Sequence, residues 1–264
     1  MTSQSAERTN GYRGRNSTAD RALDILMMFA DDRTVIGAQE VADHLGVARS
    51  TAYRYLQSLV GSGFVEEQRP SGFRLGPRVF ELARIARRGI GLSEVSRPVM
   101  RELSDALGHT VLLTRRAGAT VVCLEREEAD QPVRLSYERG HVLPVNAGAA
   151  ALVLLAWAPP DEIERAVGQS GLPRFTDATV TDADALDGRL ARIRRDGTAV
   201  TRGELDPDVL GVAAPIRDTE HRVVAAVSIA ALSHRVPDED LPEIVREVTH
   251  AAATISERLG LLDA

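Results

Sequence analysis

The chain has no lysine: all 32 of its basic residues are arginine. Its 264 residues include one cysteine, Cys123. A single thiol excludes an internal disulfide framework and a multi-cysteine zinc site, and it fits a reducing compartment. Long apolar runs are also missing. The longest, Ala147 to Ala158, is shorter than the roughly 20 residues a bilayer-spanning helix needs. The first residues, MTSQSAERTNGYRGRNS, carry arginines without an apolar core. They read as a disordered leader over 1–16 and not as a secretory signal. A cytoplasmic protein with no membrane contact is expected. His44, His109, His141, His221, His234 and His250 are scattered without ligand spacing, so no metal is expected. No nucleophile–base pair is visible either, so no catalytic residue and no cofactor are assigned. Cys123 sits in VVCLE, an alternating strand pattern, and reads as a small buried hydrophobe.

Negative charge dominates, with a net of −6, but it is unevenly spread. Residues 1–90 hold 13 arginines against 10 acids, a balance of +3; the remainder holds 19 against 28, a balance of −9. The length suits about two domains at roughly 100–200 residues each. The weakly basic part is where a nucleic-acid partner would be met, and arginine suits phosphate and guanine contacts.

Residues 39–63, QEVADHLGVARSTAYRYLQSLVGSG, carry the sharpest signal. Two short amphipathic patterns flank one turn at Gly46. In the second, Ala52, Leu56, Leu59 and Val60 recur at helical spacing and point inward. Ser50, Tyr53, Arg54 and Gln57 recur on another face and point outward. A hydroxyl, a phenol, a guanidinium and an amide together can bond phosphates and base edges in a major groove. The segment reads as a helix-turn-helix, although a helical hairpin with one polar face also occurs in domains that touch no DNA.

Other elements follow from punctuation and period. Helix is expected over Ala19–Ala30 with Ser17 or Thr18 as cap, over Ala38–Leu45, and from Arg49 to Gly61, with Thr34–Gly37 an extended link. FVEEQ and FRLG flank a Pro/Gly turn as a hairpin, making a winged helix whose Arg69 and Arg74 reach towards DNA, or a plain surface hairpin. Pro77 starts a helix to about Arg88. Its apolar stripe, Val79, Leu82, Ala83 and Ala86, suits a linker and a dimer contact. Ser93 is placed as cap of a helix to Leu107. Strands are expected at HTVLLTRR, ATVVCLERE, PVRLSYE, LGVAAPIRD and RVVAAVSIAA. A buried helix is expected over Asn146–Trp157, and further helices near Asp161–Val167, Asp182–Arg195 and Leu241–Leu259. The second half is thus α+β on a mainly antiparallel sheet.

The order and spacing of these landmarks resemble the IclR family of bacterial transcription regulators over about residues 17–260. Matching stretches are Arg21-Ala22-Leu23-Asp24-Ile25-Leu26, Val41-Ala42, Ser50-Thr51 with Arg54 and Leu56, Gly63-Phe64-Val65 and Phe73-Arg74-Leu75-Gly76. Later come Gly140 with Pro144, Ile193-Arg194 with Gly197, Gly203-Glu204 and Ala213-Ala214-Pro215-Ile216. The resemblance implies an α+β chain. A winged helix-turn-helix (17–76) and a linker helix (77–91) would precede a sensor-like (GAF-like) effector-binding and oligomerisation domain (92–264). It implies a ligand-responsive regulator, expected as a repressor. The partners would be a roughly palindromic double-stranded operator, a small organic acid or related metabolite, and further copies in a homodimer or dimer of dimers.

By position, the resemblance places DNA contacts at Arg49, Ser50, Thr51, Tyr53, Arg54, Gln57, Arg69 and Arg74. It places effector contacts at Leu135, Asn146, Gly148, Ala149, Ala150, Val209, Gly211, Ser228 and Ala230. A physical reading of Asn146-Ala147-Gly148-Ala149 agrees, since free N–H groups opening an apolar helix can cradle a carboxylate. The same small residues also suit plain helix-on-sheet packing. Where the family often has Gly-Lys in this helix, this chain has Ala151-Leu152. The lost cation tilts the site away from strongly acidic metabolites and towards a larger or more hydrophobic effector such as an aromatic or aliphatic acid. Two other classes stay open on residues alone: a metabolite-processing enzyme with a helical dimerisation domain, and an architectural DNA-binding protein with no effector.

Overall fold

A computed structural model describes residues 18–262 apart from 31, 69–71, 90 and 130–136. The leader, the Ser17 cap, Arg69, Leu135 and most of the expected strand PVRLSYE lie outside the described residues. The chain divides into two compact units, residues 1–89 and 90–264.

The first unit runs α1 (Thr18–Leu26), β1 (Val35–Ile36), α2 (Ala38–Leu45), α3 (Arg49–Gly61), β2 (Val65–Gln68), β3 (Gly72–Leu75) and α4 (Pro77–Gly89). Gly46 ends α2 in the left-handed region at φ 62°, where a side chain would cost about 1–2 kcal/mol. The Val47 N–H then closes on the Ala42 carbonyl at 3.0 Å, and the turn redirects the chain into α3. Ala52, Leu56 and Leu59 are buried against Ile25, Ile36, Val41, Val65 and Phe73. Burying one such leucine contributes about 2–3 kcal/mol, so the apolar stripe fixes how α3 sits and which face it shows to water. Val60, expected inside, is only half-buried. Helix α1 stops at Leu26 and not Ala30, because Ala30 pairs with Arg33 through two backbone bonds of 3.1 and 2.8 Å. The expected link at Thr34–Gly37 holds β1, which pairs antiparallel with β3 and makes the hairpin a three-stranded sheet, β1-β3-β2.

The second unit contains α5 (Leu92–Leu107), β4 (Thr110–Ala117), β5 (Thr120–Glu127), β6 (Val142–Pro144), α6 (Ala149–Ala156), α7 (Pro160–Ser170) and α8 (Ala183–Asp196). After these come β7 (Ala199–Arg202), β8 (Val209–Arg217), β9 (Val223–Leu232) and α9 (Leu241–Gly260). Gly91, at φ 59°, caps α5; Ser93 lies buried in its first turn instead of capping it. The six strands form one antiparallel sheet in the order β6-β5-β4-β9-β8-β7.

The two faces of this sheet differ in side-chain size. Leu210, Val212, Ala214 and Ile216 on β8, with Val227 and Ile229 on β9, pack with α5 and α9. The opposite face offers Ala213 and Ala226 to α6 and α8, and Gly211 meets Ala149 at the start of α6. Small residues let α6, all eight residues of which are buried, lie close to the strands. Where α6 begins, the same small residues leave a hollow.

Candidate functional site

The outward face of α3 carries Arg49, Ser50, Arg54 and Gln57, all exposed; Thr51 is half-buried. The helix sequence RSTAYRYLQSLVG has no acid. Among the described residues neither Arg49 nor Arg54 has an ion-pair partner, so two guanidinium groups stand ready for an external anion. Tyr53 is 39% exposed, and its ring meets Phe73 of β3 edge-on with centroids 6.0 Å apart. The phenol is therefore steered by the wing strand and does not sweep freely. On the wing, Arg74 is exposed but pairs with Glu66 directly across the β2–β3 ladder at 2.8 Å. An exposed pair of this kind contributes at most about 1 kcal/mol, so a phosphate can compete for the arginine. On α4, Val79 is half-buried and Leu82, Ala83 and Phe80 are exposed; the Ala86 side chain lies outside the described set.

In the second unit a half-open cavity lies between the start of α6, strands β4, β7, β8 and β9, and the loop at 203–208. Gly148, Ala149, Ala150, Val209, Gly211, Ser228 and Ala230 all line it. Asn146 does not. Its buried amide donates to the Pro173 and Val180 carbonyls at 3.0 and 3.1 Å and clamps the segment between α7 and α8. The helix opens only at Ala149 because Gly148 precedes it at φ 89°, which leaves Asn146 three residues outside the helix.

Polar groups that the sequence reading did not single out also line the cavity: Thr201, Glu204, Asp206 and Tyr137. Glu204 is 5% exposed. Its Oε1 accepts from Arg189 of α8 at 3.1 Å, while Oε2 is buried without a hydrogen-bond partner. Burial pushes its carboxyl above the usual range; Arg189 and the Gly148 amide pull it partly back. The Gly148 amide thus acts by proximity while Oε2 stays unbonded. Burial, and then the nearby Asp206, push the Tyr137 phenol up. Cys123 is buried and donates weakly to the Glu125 carbonyl; burial first and Glu125 second push its thiol up to about 11. Among the described residues, no three His, Cys, Asp or Glu side chains stand close enough to hold a metal, and no helix is long and apolar enough to cross a membrane.

Comparison with known proteins bears on both features. A family model described as the IclR helix-turn-helix domain matches residues 18–69, and one described as the bacterial transcriptional regulator IclR C-terminal matches residues 86–257. The chain belongs to the IclR family. Among curated relatives, it is 28% identical to the regulator KipR of Bacillus subtilis over 93% of this chain and 98% of that one. It is 32% identical to BhcR of Paracoccus denitrificans over 95% and 88%. Both are named as transcription regulators and not as enzymes. Among solved structures, an IclR regulator from Silicibacter matches at a TM-score of 0.85 with 28% identity, covering 92% of this chain and 96% of that one. An IclR homologue from Microbacterium hydrocarbonoxydans, solved with 4-hydroxybenzoate, matches at 0.75 with 30% identity over 92% and 99%. This IclR protein is a ligand-responsive DNA-binding transcription regulator, with an N-terminal helix-turn-helix and a C-terminal α/β domain that binds a small molecule.

Proposed function

We propose that α3 is the recognition helix and that Arg49, Ser50, Thr51, Tyr53, Arg54 and Gln57 contact the operator, with Arg74 and Arg69 on the wing. The observation that carries this reading is the acid-free face of α3 with two guanidinium groups unpaired among the described residues. The exposed apolar residues of α4 support its role as a linker and dimer contact in a cytoplasmic homodimer or dimer of dimers. Two recognition helices in one dimer would meet a roughly palindromic operator, with half-sites one helical turn or a multiple apart. The effector occupies the cavity at the start of α6, and its binding shifts operator affinity because it favours one of two arrangements of the chain. Repression is the proposed output. The 4-hydroxybenzoate complex of the Microbacterium relative supports a small organic acid or related metabolite as effector.

Anisotropy titration of an operator duplex tests the DNA contacts. Arg54→Ala should lower specific affinity by about 1–3 kcal/mol if it makes a bidentate base contact. An unchanged titration at fixed salt removes Arg54 from the contact set. Thermal unfolding against a metabolite panel tests the cavity, since an effector at about 100 times its Kd stabilises by about 2.7 kcal/mol.

A further inference from the structure

The cavity by the start of α6 has a polar end and an apolar end. In the sheet order β6-β5-β4-β9-β8-β7, Thr201 stands on β7, and Glu204 and Asp206 follow in the loop after it. The charge of Glu204 is matched inside the protein by Arg189 at 3.1 Å. Towards the other edge of the sheet the lining is Leu112 of β4 and Leu143 of β6. Tyr137 lines the cavity as well, and its ring packs with Leu112, Cys123, Val209 and Ala230.

Tyr137 is held in place from several sides. Its carbonyl accepts from the Arg126 guanidinium at 2.7 Å. The Gly140 amide donates to the Cys123 carbonyl at 2.8 Å, and the Cys123 amide donates to the His141 carbonyl at 3.0 Å. Arg139 pairs with the buried Glu125 at 2.8 Å. Residues 137–141 are thereby strapped to β5. The His141 ring meets the Tyr137 ring at 87°, with centroids 5.9 Å apart, so it fixes the ring's orientation without stacking flat upon it. Burial, and then Asp206, push the phenol up, so the side chain stays neutral near pH 7. The cavity therefore has a prepositioned, uncharged aromatic wall.

We infer that Tyr137 is a specificity-determining residue of the effector site, and that it selects an aryl acid, a carboxylate carried on an aromatic ring that lies against the Tyr137 ring. The inference rests on the reading of this cavity as the effector site, and it narrows aromatic or aliphatic acids to the aromatic ones. The acid group has its place at the start of α6, where free N–H groups can cradle a carboxylate. The body of the ligand then extends towards Leu112, Leu143 and Tyr137. A saturated ring or an alkyl chain of similar size would bury comparable apolar area there. Only an aromatic body adds the quadrupole interaction with a neighbouring ring, which amounts to about twofold to tenfold in affinity. Because Tyr137 is already held, ordering its side chain costs little and that gain appears in binding.

The test is calorimetric titration of the full chain with two matched pairs of acids, benzoate against cyclohexanecarboxylate and phenylacetate against cyclohexylacetate. In the tighter-binding pair the aryl acid should bind at least about threefold more tightly than its saturated partner. Tyr137→Phe, which keeps the ring, should keep that gap. Tyr137→Leu should close it to about parity. An absent or reversed gap in the wild type overturns the inference, as does a gap that survives in Tyr137→Leu or vanishes in Tyr137→Phe. If Tyr137→Leu does not fold, Tyr137→Met supplies the same comparison. Failure of the effector-cavity reading itself looks different. In that case none of the four acids binds the wild type at about 10 mM, or binding persists unchanged when the cavity is filled by Gly211→Leu or, should that variant not fold, by Ala230→Leu.

Discussion

Replacing Gly211 by alanine tests whether the floor of the cavity is built by the absence of side chains. A Cβ at this position would lie 2.9 Å from Thr201 Oγ1 and 3.2 Å from the Ala149 Cβ, with the Ala149 amide nitrogen at 3.5 Å. Thr201 is itself buried and cannot swing into solvent. Overpacking of this kind costs about 1–3 kcal/mol, while glycine-to-alanine stabilises by about 0.4–1 kcal/mol through the unfolded chain. The net expectation is a loss of about 1–2 kcal/mol. Gly188 provides the contrast. It lies within α8, is exposed, and a Cβ there would meet nothing within 4 Å. Gly188→Ala should therefore gain up to about 1 kcal/mol from helix propensity. Urea unfolding of both variants beside the wild type measures the two signs in one protein. If Gly211→Ala were neutral or stabilising, the proposed contact between β8 and the start of α6 would be wrong.

Cys123 should resist thiol reagents near pH 8 in the folded chain and react only on unfolding. Its thiol titrates at about 11 when folded and near 8.5 when unfolded, so this stability is complete below about pH 8.5. About 3 kcal/mol of it is lost as pH rises through 11. Immediate stoichiometric labelling at pH 8 contradicts the burial. Asn146→Ala should cost about 2 kcal/mol in urea unfolding by leaving the Pro173 and Val180 carbonyls without their donor; unchanged stability would contradict the clamp. Arg54→Ala should weaken operator binding without altering urea unfolding, since its side chain is exposed; a matching stability loss would mark it as structural.

The parts of the fold that could be read from sequence are those with enough residues to show a period. Helices α2 and α3 were legible from their apolar stripes and from Gly46, and β8 and β9 from nine and ten residues of strand pattern. Two-residue β1 and four-residue β7 carry too few positions for any period to appear, and both exist because a longer neighbour, β3 or β8, pairs with them. The helix expected from Asn146 starts three residues later, because Gly148 in a positive-φ conformation sets the boundary. Most of the cavity wall is legible only through the family resemblance, because its small residues carry no chemistry of their own; the opening of α6 is legible from its residues. Glu204 belongs to a family motif, but its local sequence does not mark it as a cavity group. In RGELDPD an acid reads as part of a solvated turn, and only the strands and α8 folded around it bury its carboxylate. The steering of Tyr53 was equally hidden, since Phe73 lies 20 positions away and meets it only through the β-sheet.

The central claim is that the α3 face meets duplex DNA. Anisotropy of a labelled duplex from the region upstream of the protein's own gene, titrated across salt concentrations, tests it most directly. The account predicts that the logarithm of the binding constant falls linearly with the logarithm of salt, by about 0.9 for each phosphate neutralised, and that an Arg49→Ala, Arg54→Ala double variant shows a shallower slope by roughly two contacts. Binding that ignores salt, or no binding to any duplex, contradicts it.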